Sequence, residues 1–296
     1  MNYTRRKFIG TVAAGIGILL GRTAEGGTGV RKHDPFEKVK LGKSGITTTR
    51  LCLGTGIRGG GQQSNLTRLG YDNGVQLVRN IYHSGVRMVD MADTYGTHFI
   101  VGDALKIYPR KKYTLFTKIW LGNGEKISGT PVDIDAVLQR FLKELQTEYI
   151  DGVMMHCITS GNWNSVMSDY MTALDKAKQR GMIRSHGLSC HSLAAVETAV
   201  SEAWTDCIHV RFNPFGVNMD DRPEKVAPVV RQLHDAGTGV IAMKIFGEGK
   251  FADDSAKKDQ SLTYALHSGA VDVLDIGMDK IEDLTDTITR IRAIPK

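Results

Sequence analysis

Apolar residues follow two alternating periodicities from residue 36 to the C-terminus. Short runs rich in Val, Ile and Leu, typical of buried strands, occupy residues 50–54, 86–89, 113–117, 150–155, 183–188, 207–212, 239–243 and 271–276. The stretches between them are longer and carry apolar residues at helical spacing, most clearly in residues 132–145. This alternation predicts parallel strands that are joined by helical crossovers.

The number of these units decides between two architectures. Eight strand–helix units in about 260 residues favour a closed (β/α)8 TIM barrel over the alternative, an open doubly wound sheet. Two short strand patterns, residues 36–41 and 47–54, flank a Gly-Lys-Ser-Gly turn and predict an N-terminal β-hairpin. We therefore predict one α/β barrel domain, residues 35–296, that begins with a hairpin.

The first 34 residues have a different pattern. Arg5, Arg6 and Lys7 precede an apolar run at residues 11–21, which is typical of a signal peptide and too short for a comfortable membrane span. Residues 4–9, Thr-Arg-Arg-Lys-Phe-Ile, resemble the twin-arginine (Tat) motif, which directs the export of folded proteins.

We therefore expect residues 1–34 to be a Tat-type signal peptide and linker, with the Tat export machinery as a partner. The mature protein is then expected in the periplasm or elsewhere outside the cytoplasm. No clear small-residue cleavage site follows the apolar run, so an uncleaved leader that tethers the protein to a membrane stays an alternative.

Charge and cysteine content exclude some classes of function. The net charge is +6, and residues 1–34 hold six basic against two acidic residues, so the remainder is nearly balanced and offers no basic surface for nucleic acid. Cys52, Cys157, Cys190 and Cys207 are scattered without metal-site spacing, and no metal is predicted. We expect buried thiols, and a Cys157–Cys190 disulfide is the alternative.

Three consecutive strand patterns end on a titratable residue. These residues are Asp90, Lys118 and His156, and Tyr95 follows Asp90 by five positions. In a parallel barrel the carboxyl ends of the strands meet at one rim, where catalytic residues are found. The four side chains are therefore predicted to lie close together.

Their types match the needs of carbonyl reduction. Addition of hydride to a ketone or aldehyde creates an alkoxide that needs a proton, and Tyr95 can donate it. The pKa of an isolated tyrosine is about 10, and a nearby ammonium such as Lys118 favours the phenolate. Asp90 would hold and compensate that lysine, and His156 would orient the carbonyl oxygen.

At this point the sequence resembles the aldo-keto reductases. Residues 89–96, Val-Asp-Met-Ala-Asp-Thr-Tyr-Gly, look like the D-x-A-x-x-Y-G signature of that family, and residues 41–56 are similar to its hairpin and first barrel strand. Lys118 and His156 fall where the family places its lysine and histidine. The resemblance implies Asp90, Tyr95, Lys118 and His156 as the catalytic tetrad, with NADP(H) or NAD(H) as cofactor.

The resemblance also implies a set of cofactor contacts at the barrel mouth. It assigns the nicotinamide to Thr55, Asp90 and Ser189. The pyrophosphate is expected over the turn from Gly247 to Gly249, where the absence of side chains allows the backbone to approach. No G-x-G-x-x-G opens a strand–helix unit, so the sequence does not indicate a Rossmann domain.

Several positions depart from the family pattern and leave the cofactor preference open. Cys190 replaces the usual asparagine, and His209 stands near the position of a glutamine that holds the carboxamide. Met243, which Lys244 follows, stands where an aromatic residue usually stacks on the nicotinamide. The basic clamp for a 2′-phosphate is reduced to Lys280 among four acids, Asp279, Glu282, Asp283 and Asp286.

Two other functions remain compatible with these residues. The chain could be a catalytically retired cofactor-binding sensor or subunit, although retention of the four reactive side chains argues against this. It could also be a barrel isomerase or dehydratase that uses hydride transfer transiently. The substrate is expected to be a small-molecule carbonyl or alcohol. Polar loops at residues 58–71, 120–129 and 160–164, with Trp120 and Trp163, hint at a hydroxylated or sugar-like ligand.

Overall fold

Strands and helices alternate along the chain in the predicted order. The computed structural model describes residues 31–121 and 132–296, so predictions for residues 1–30 lie outside the described residues. The strands are β1 (Lys38–Lys40), β2 (Thr47–Thr49), β3 (Leu51–Gly54), β4 (Met88–Asp90), β5 (Thr114–Ile119), β6 (Ile150–Ile158), β7 (Ile183–Cys190), β8 (Cys207–Arg211), β9 (Gly239–Met243) and β10 (Val273–Gly277). The helices are α1 (Asn65–Arg68), α2 (Tyr71–His83), α3 (His98–Leu105), α4 (Ile134–Glu144), α5 (Trp163–Val166), α6 (Ser168–Gln179), α7 (Leu193–Ser201), α8 (Pro223–Asp235), α9 (Ser255–His267) and α10 (Ile281–Ala293).

Strands β3 to β10 form a closed barrel of eight parallel strands, which confirms the predicted fold class. Each strand pairs with its neighbour in the sequence, and β10 returns to pair with β3. The register places Gly54 opposite Asp90, and Asp90 opposite Phe116. Because all strands are parallel, their carboxyl ends lie on the same rim.

The predicted hairpin, β1 with β2, covers the other end of the barrel. Its apolar residues Val39, Leu41 and Ile46 join one buried cluster with inward-facing strand residues such as Phe116 and Met154. The backbone N–H of Lys43 donates to the carbonyl of Gly237, just before β9 begins, at 2.8 Å. The amino-terminal end of the barrel is thus packed with side chains, and the opposite rim is left for chemistry.

A second and larger buried cluster fills the space between the strands and the surrounding helices. Helix α4 shows how the pattern produces this packing, since it buries Ile134, Leu138 and Phe141 on one face. The helix begins two residues later than the pattern at 132–145 predicts. The reason is that the carboxylate of Asp133 accepts a hydrogen bond from the N–H of Ala136 and caps the helix.

Among residues 31–121 and 132–296, no helix combines the length and apolar character that crossing a membrane requires. The four cysteines are free; Cys52, Cys190 and Cys207 are buried and Cys157 is half-buried. The prediction of unpaired, largely buried thiols therefore describes the structure better than the disulfide alternative.

Candidate active site

The four predicted reactive side chains meet at the carboxyl rim of the barrel. Asp90 is the last residue of β4, Lys118 lies near the end of β5, and His156 lies near the end of β6. Asp90, Lys118 and His156 are at most 5% exposed. The structure therefore brings together in space the residues that the sequence separates by as many as 66 positions.

Tyr95 reaches this rim through a short 3₁₀ turn at residues Asp93–Tyr95. Gly96 ends the turn in a left-handed conformation with φ 68°, which a residue with a side chain rarely adopts. The ring of Tyr95 lies directly against Gly56 and Gly59, where an added Cβ would overlap its atoms. The two glycines thus leave the space in which the ring fits.

Lys118 and Asp90 form a buried ion pair beneath Tyr95. The ammonium Nζ donates to Asp90 Oδ2 and also to the backbone carbonyl of Met91, at 2.9 Å. Burial opposes both charged forms, but each partner stabilises the other, so the pKa of Asp90 is lowered and that of Lys118 is raised. The pair is charged at neutral pH, and Nζ lies 5.4 Å from the centre of the Tyr95 ring.

The Tyr95 hydroxyl lies 3.4 Å from Nε2 of His156. Burial raises the pKa of Tyr95, and the ammonium of Lys118 opposes this without reversing it. The sequence predicted that Lys118 would lower the pKa of Tyr95. This effect is outweighed because the hydroxyl is desolvated and because Asp90 compensates the charge of the ammonium. Burial, followed by the charge of Lys118, lowers the pKa of His156 to about 3. Tyr95 is therefore protonated and His156 neutral near pH 7.

A cavity of about 720 Å³ opens above the ion pair. Its floor includes Gly54, Asp90, Tyr95 and Lys118. One wall is formed by residues from the end of β9 to the turn at Gly247–Gly249, and another by residues from β10 to α10. Ligand cavities in proteins commonly have volumes of about 300–1,000 Å³, so this one can hold a substantial ligand.

The predicted cofactor residues divide into two groups. Asp90, Met243, Lys244, Gly249 and Lys280 line the cavity.

Thr55, Ser189 and Gly247 do not line the cavity. Thr55 donates its hydroxyl to the carbonyl of Asp90 at 2.8 Å, and a Cβ on Gly247 would meet the ring of Phe251. The Oγ of Ser189 is buried and has no hydrogen-bond partner among the described residues. A ligand amide that reached this hydroxyl would satisfy it. The size of the cavity and its lining by Lys244, Gly249 and Lys280 are compatible with a nicotinamide cofactor.

The far wall of the cavity is acidic. We call Asp279, Glu282, Asp283 and Asp286 the acidic wall; all four line the cavity with Lys280. Lys258, which the sequence analysis missed, also lines this region, but its ammonium is paired with Asp286 at 3.0 Å. Lys244 is likewise paired, with Glu248 at 2.7 Å. Neighbouring carboxylates thus already compensate two of the nearby cations.

Two further side chains beside Asp90 were not predicted in this place: His209 is fully buried, and Asp275 is half-buried and lines the cavity. Nε2 of His209, which the sequence suggested as a carboxamide contact, lies 3.0 Å from Asp90 Oδ1 and does not line the cavity. Asp275 lies on β10, the strand that closes the barrel against β3. One carboxylate oxygen of Asp275, one of Asp90 and a ring nitrogen of His209 all lie within 4.8 Å of one another. Such a spacing suits a metal ion, but Lys118 already supplies a cation to Asp90.

The two tryptophans expected near the substrate differ in their exposure. Trp163 is fully buried and donates its Nε1–H to the carbonyl of Ala195 at 3.1 Å, so it does not face a ligand. Trp120 is 46% exposed, and its ring lies edge-to-face with that of His156 at 6.1 Å between centroids. Of these two tryptophans, Trp120 is the one that lies beside His156. The rest of the loop predicted at 120–129 lies largely outside the described residues.

Solved structures with a similar barrel include aldo-keto reductases. One from Bacillus halodurans, in its holo form, superposes with a TM-score of 0.67 at 19% identity and covers 88% of this chain and 92% of that one. Another from Klebsiella pneumoniae, in complex with NADP and acetate, gives a TM-score of 0.63 at 16% identity, with coverages of 88% and 92%. These likenesses concern the fold.

Sequence comparison gives the family. A soybean (Glycine max) protein named probable aldo-keto reductase 1 is 25% identical over 223 residues, 73% of this chain and 61% of its own length. The methylglyoxal reductase DkgB of Salmonella typhi is 32% identical over 143 residues, 48% of this chain and 51% of its own length. The chain thus spans about half to three-fifths of these relatives. The profile of the Aldo/keto reductase family matches residues 50–289, and the chain belongs to that family.

Proposed function

We propose that this protein is an NAD(P)H-dependent oxidoreductase that reduces an aldehyde or ketone to an alcohol, or catalyses the reverse reaction. One observation carries the proposal: a buried Lys118–Asp90 ion pair lies beneath Tyr95, whose hydroxyl is 3.4 Å from His156 at the edge of a large cavity. Methylglyoxal reductases from Salmonella typhi and Escherichia coli, the latter named NADH-specific, are among its relatives.

Each of the four residues has a role in proton transfer. A bound nicotinamide supplies the hydride, and Tyr95 donates its hydroxyl proton to the oxygen of the former carbonyl. Neutral His156 donates an N–H to the same oxygen and orients it. The ammonium of Lys118 stabilises the phenolate that remains, and Asp90 holds the ammonium in place. General acid catalysis of this kind contributes about 10²–10⁴-fold to the rate.

The residues proposed to bind the cofactor are those of the cavity and its margin. Ser189, with its unpartnered hydroxyl, and Thr55 are proposed for the nicotinamide end, and Gly249 for the pyrophosphate. Met243, Lys244, Gly247 and Lys280 complete the set. Asp286 of the acidic wall is paired with Lys258 and Arg290, but Asp279, Glu282 and Asp283 have no ion pair among the described residues. Their charges oppose a 2′-phosphate by like-charge repulsion, so NAD(H) is proposed to compete better here than in a relative with a basic clamp.

A spectrophotometric assay tests the activity. The purified protein is mixed with NADPH or NADH and a panel of carbonyl compounds that includes methylglyoxal and hydroxylated aldehydes, and nicotinamide absorbance is followed. Oxidation of cofactor that depends on the carbonyl supports the proposal. Cofactor binding without turnover across the panel would favour the retired sensor, and rearranged substrate without net cofactor oxidation would favour an isomerase or dehydratase.

The place of action is proposed from the sequence of the leader. We propose export through the Tat route, which fits a cofactor enzyme because Tat substrates fold before they cross the membrane and can load a nucleotide first. An uncleaved leader would tether the protein to the membrane. The supporting observation is the Arg5-Arg6 pair before the apolar run, which lies outside the described residues.

A further inference from the structure

Three buried polar atoms converge beneath the proposed tetrad. They are Oδ1 of Asp90, Oδ1 of Asp275 and Nε2 of His209, and each is shielded from solvent. His209 Nε2 lies 3.0 Å from Asp90 Oδ1, whereas Oδ1 of the half-buried Asp275 has no hydrogen-bond partner among the described residues. Buried polar atoms without partners are rare because each forfeits its hydration. The carboxyl oxygen of Asp275 therefore requires a physical explanation.

The position of Asp275 explains why they converge. Residues 273, 275 and 277 of β10 alternate toward the barrel interior, where Val273 belongs to the inner apolar cluster. β10 pairs with β3 in a register that sets Asp275 opposite Cys52 and Gly277 opposite Gly54. A Cβ on Gly54 would lie 2.5 Å from Asp275 Oδ1, so a glycine at this position leaves room for the carboxyl.

Charge counting leaves one carboxyl of this cluster without a counter-ion. Lys118 is directly paired with Asp90, and the ammonium can balance one negative charge. Asp275 lies within hydrogen-bonding reach of Asp90, and like charges this close in a buried site cannot both persist. A proton between the two carboxyl groups removes the second charge and gives the unpartnered Asp275 Oδ1 a hydrogen bond to Asp90.

On the basis of the proposed carbonyl reduction, we propose that Asp275 is a positioning residue of the tetrad. It is a neutral carboxylic acid that donates a hydrogen bond to Asp90 and thereby leaves a single negative charge opposite Lys118. Asp275 acts through Asp90 and Lys118 and transfers no proton to the substrate. The arrangement keeps the field of Lys118 available to the phenolate form of Tyr95.

The surroundings agree with a neutral Asp275. Burial, and then the charge of Asp90, raise the pKa of Asp275 well above that of an ordinary aspartate. The titratable or charged groups that face it from the packed elements are Cys52, Asp90, Tyr95, Lys118, His209 and Lys244. Ionisation of Asp275 would add a charge that raises the pKa of Tyr95. Alcohol oxidation, in which Tyr95 must accept a proton, would then rise less steeply with pH while Asp275 ionises.

Infrared spectroscopy tests the proton directly and needs no turnover. The carbonyl-stretch region of protonated carboxyl groups is compared at neutral pH, in H₂O and D₂O, for wild type, Asp275→Asn and the control Asp169→Asn, which removes an exposed acid. The proposal expects one protonated-carboxyl signal to be lost in Asp275→Asn alone. A spectrum of Asp275→Asn that equals that of wild type would overturn the proposal. It would also be overturned if wild type showed no protonated-carboxyl signal and instead contained one bound divalent metal ion per chain.

Kinetics separate positioning from a purely structural role. Asparagine keeps an N–H donor and stays neutral, so Asp275→Asn should retain alcohol oxidation within about threefold and lose the flattening of the pH profile that ionisation of Asp275 causes. Asp275→Ala, which removes one hydrogen bond to a charged group, should lose about tenfold or more. Equal losses in both variants with an unchanged pH profile would contradict the proposal.

Should Asp275→Asn not fold, wild-type protein labelled with ¹³C at the aspartate carboxyls gives the answer. A resonance near Lys118 that stays protonated at pH 7 supports the shared proton, and full ionisation of both carboxyls overturns it. Spectra that contradict the role of Asp275 would leave the carbonyl-reductase proposal standing. Absence of reductase activity would not change the spectra.

Discussion

Replacement of Asp90 by asparagine tests whether the buried ion pair determines stability as well as chemistry. The side chains of Lys118 and Asp90 are 1% and 4% exposed, and asparagine would offer the ammonium a neutral amide oxygen beside the Met91 carbonyl in place of a carboxylate. Removing one partner of a buried pair costs about 3–5 kcal/mol when the other charge is left uncompensated, and ionisation of the neighbouring Asp275 would reduce that loss. For a protein of this size each kcal/mol lowers the Tm by about 2–4 °C.

The double variant Asp90→Asn/Lys118→Met removes the stranded charge as well. Replacing a whole buried pair by neutral residues is often nearly neutral for stability, so the double variant should be more stable than Asp90→Asn by about 2 kcal/mol or more. Urea unfolding followed by circular dichroism measures all four corners of the cycle. Asp221→Asn, which breaks the exposed pair with Lys225, serves as control and should show no measurable loss. Additive effects, with a coupling below about 0.5 kcal/mol, would refute the reasoning.

Three further predictions concern export, cofactor and pH. Changing Arg5 and Arg6 together to lysine should hold the protein in the cytoplasm, and equal recovery of the variant from the periplasm would contradict the Tat leader. Protein purified from the periplasmic fraction should release a nicotinamide nucleotide on denaturation, and NAD(H) should compete well with NADP(H) for the site. Release of NADP alone, together with NAD binding more than about a hundredfold (roughly 2.7 kcal/mol) weaker than NADP binding, would show that the acidic wall does not face the ribose. Burial raises the pKa of Glu144, but hydrogen bonds from His98 and Arg140 outweigh this effect and lower it. The ionised Glu144 therefore stabilises the fold above the pKa of about 4.3 that it has in the unfolded chain. This contribution is lost as the pH falls through the lower pKa of the folded protein. Glu144→Gln should therefore lose less free energy of unfolding than wild type between about pH 5 and pH 3, and parallel pH curves would contradict this.

The barrel could be predicted because its strands are locally recognisable. Strands buried on both faces appear as continuous apolar runs, and each run ends within a few residues of the observed strand. The positions of Asp90, Lys118 and His156 followed from this, since parallel strands bring their carboxyl ends to one rim. Boundaries were less accurate where a side chain decides them, as Asp133 does for α4.

The surroundings of the tetrad could not be predicted in the same way. Asp275 and Asp90 are 185 positions apart in the sequence, and they meet only because the last strand closes against the first. An acid within the apolar run of β10, on the same face as Val273, was the one signal that could have identified Asp275. Lys258 lies on α9, and only the packing of that helix brings it to Asp286. The raised pKa of Tyr95 likewise depends on burial, which residue type does not reveal.

Replacement of Tyr95 by phenylalanine tests the central claim most directly. The ring would keep its place against Gly56 and Gly59, and only the proposed proton donor would be lost. We expect nicotinamide nucleotide binding, measured by fluorescence titration, to stay close to that of wild type, and kcat for carbonyl reduction to fall by about a hundredfold or more. Retention of more than about a tenth of the wild-type kcat, with nucleotide binding intact, would show that Tyr95 is not the acid.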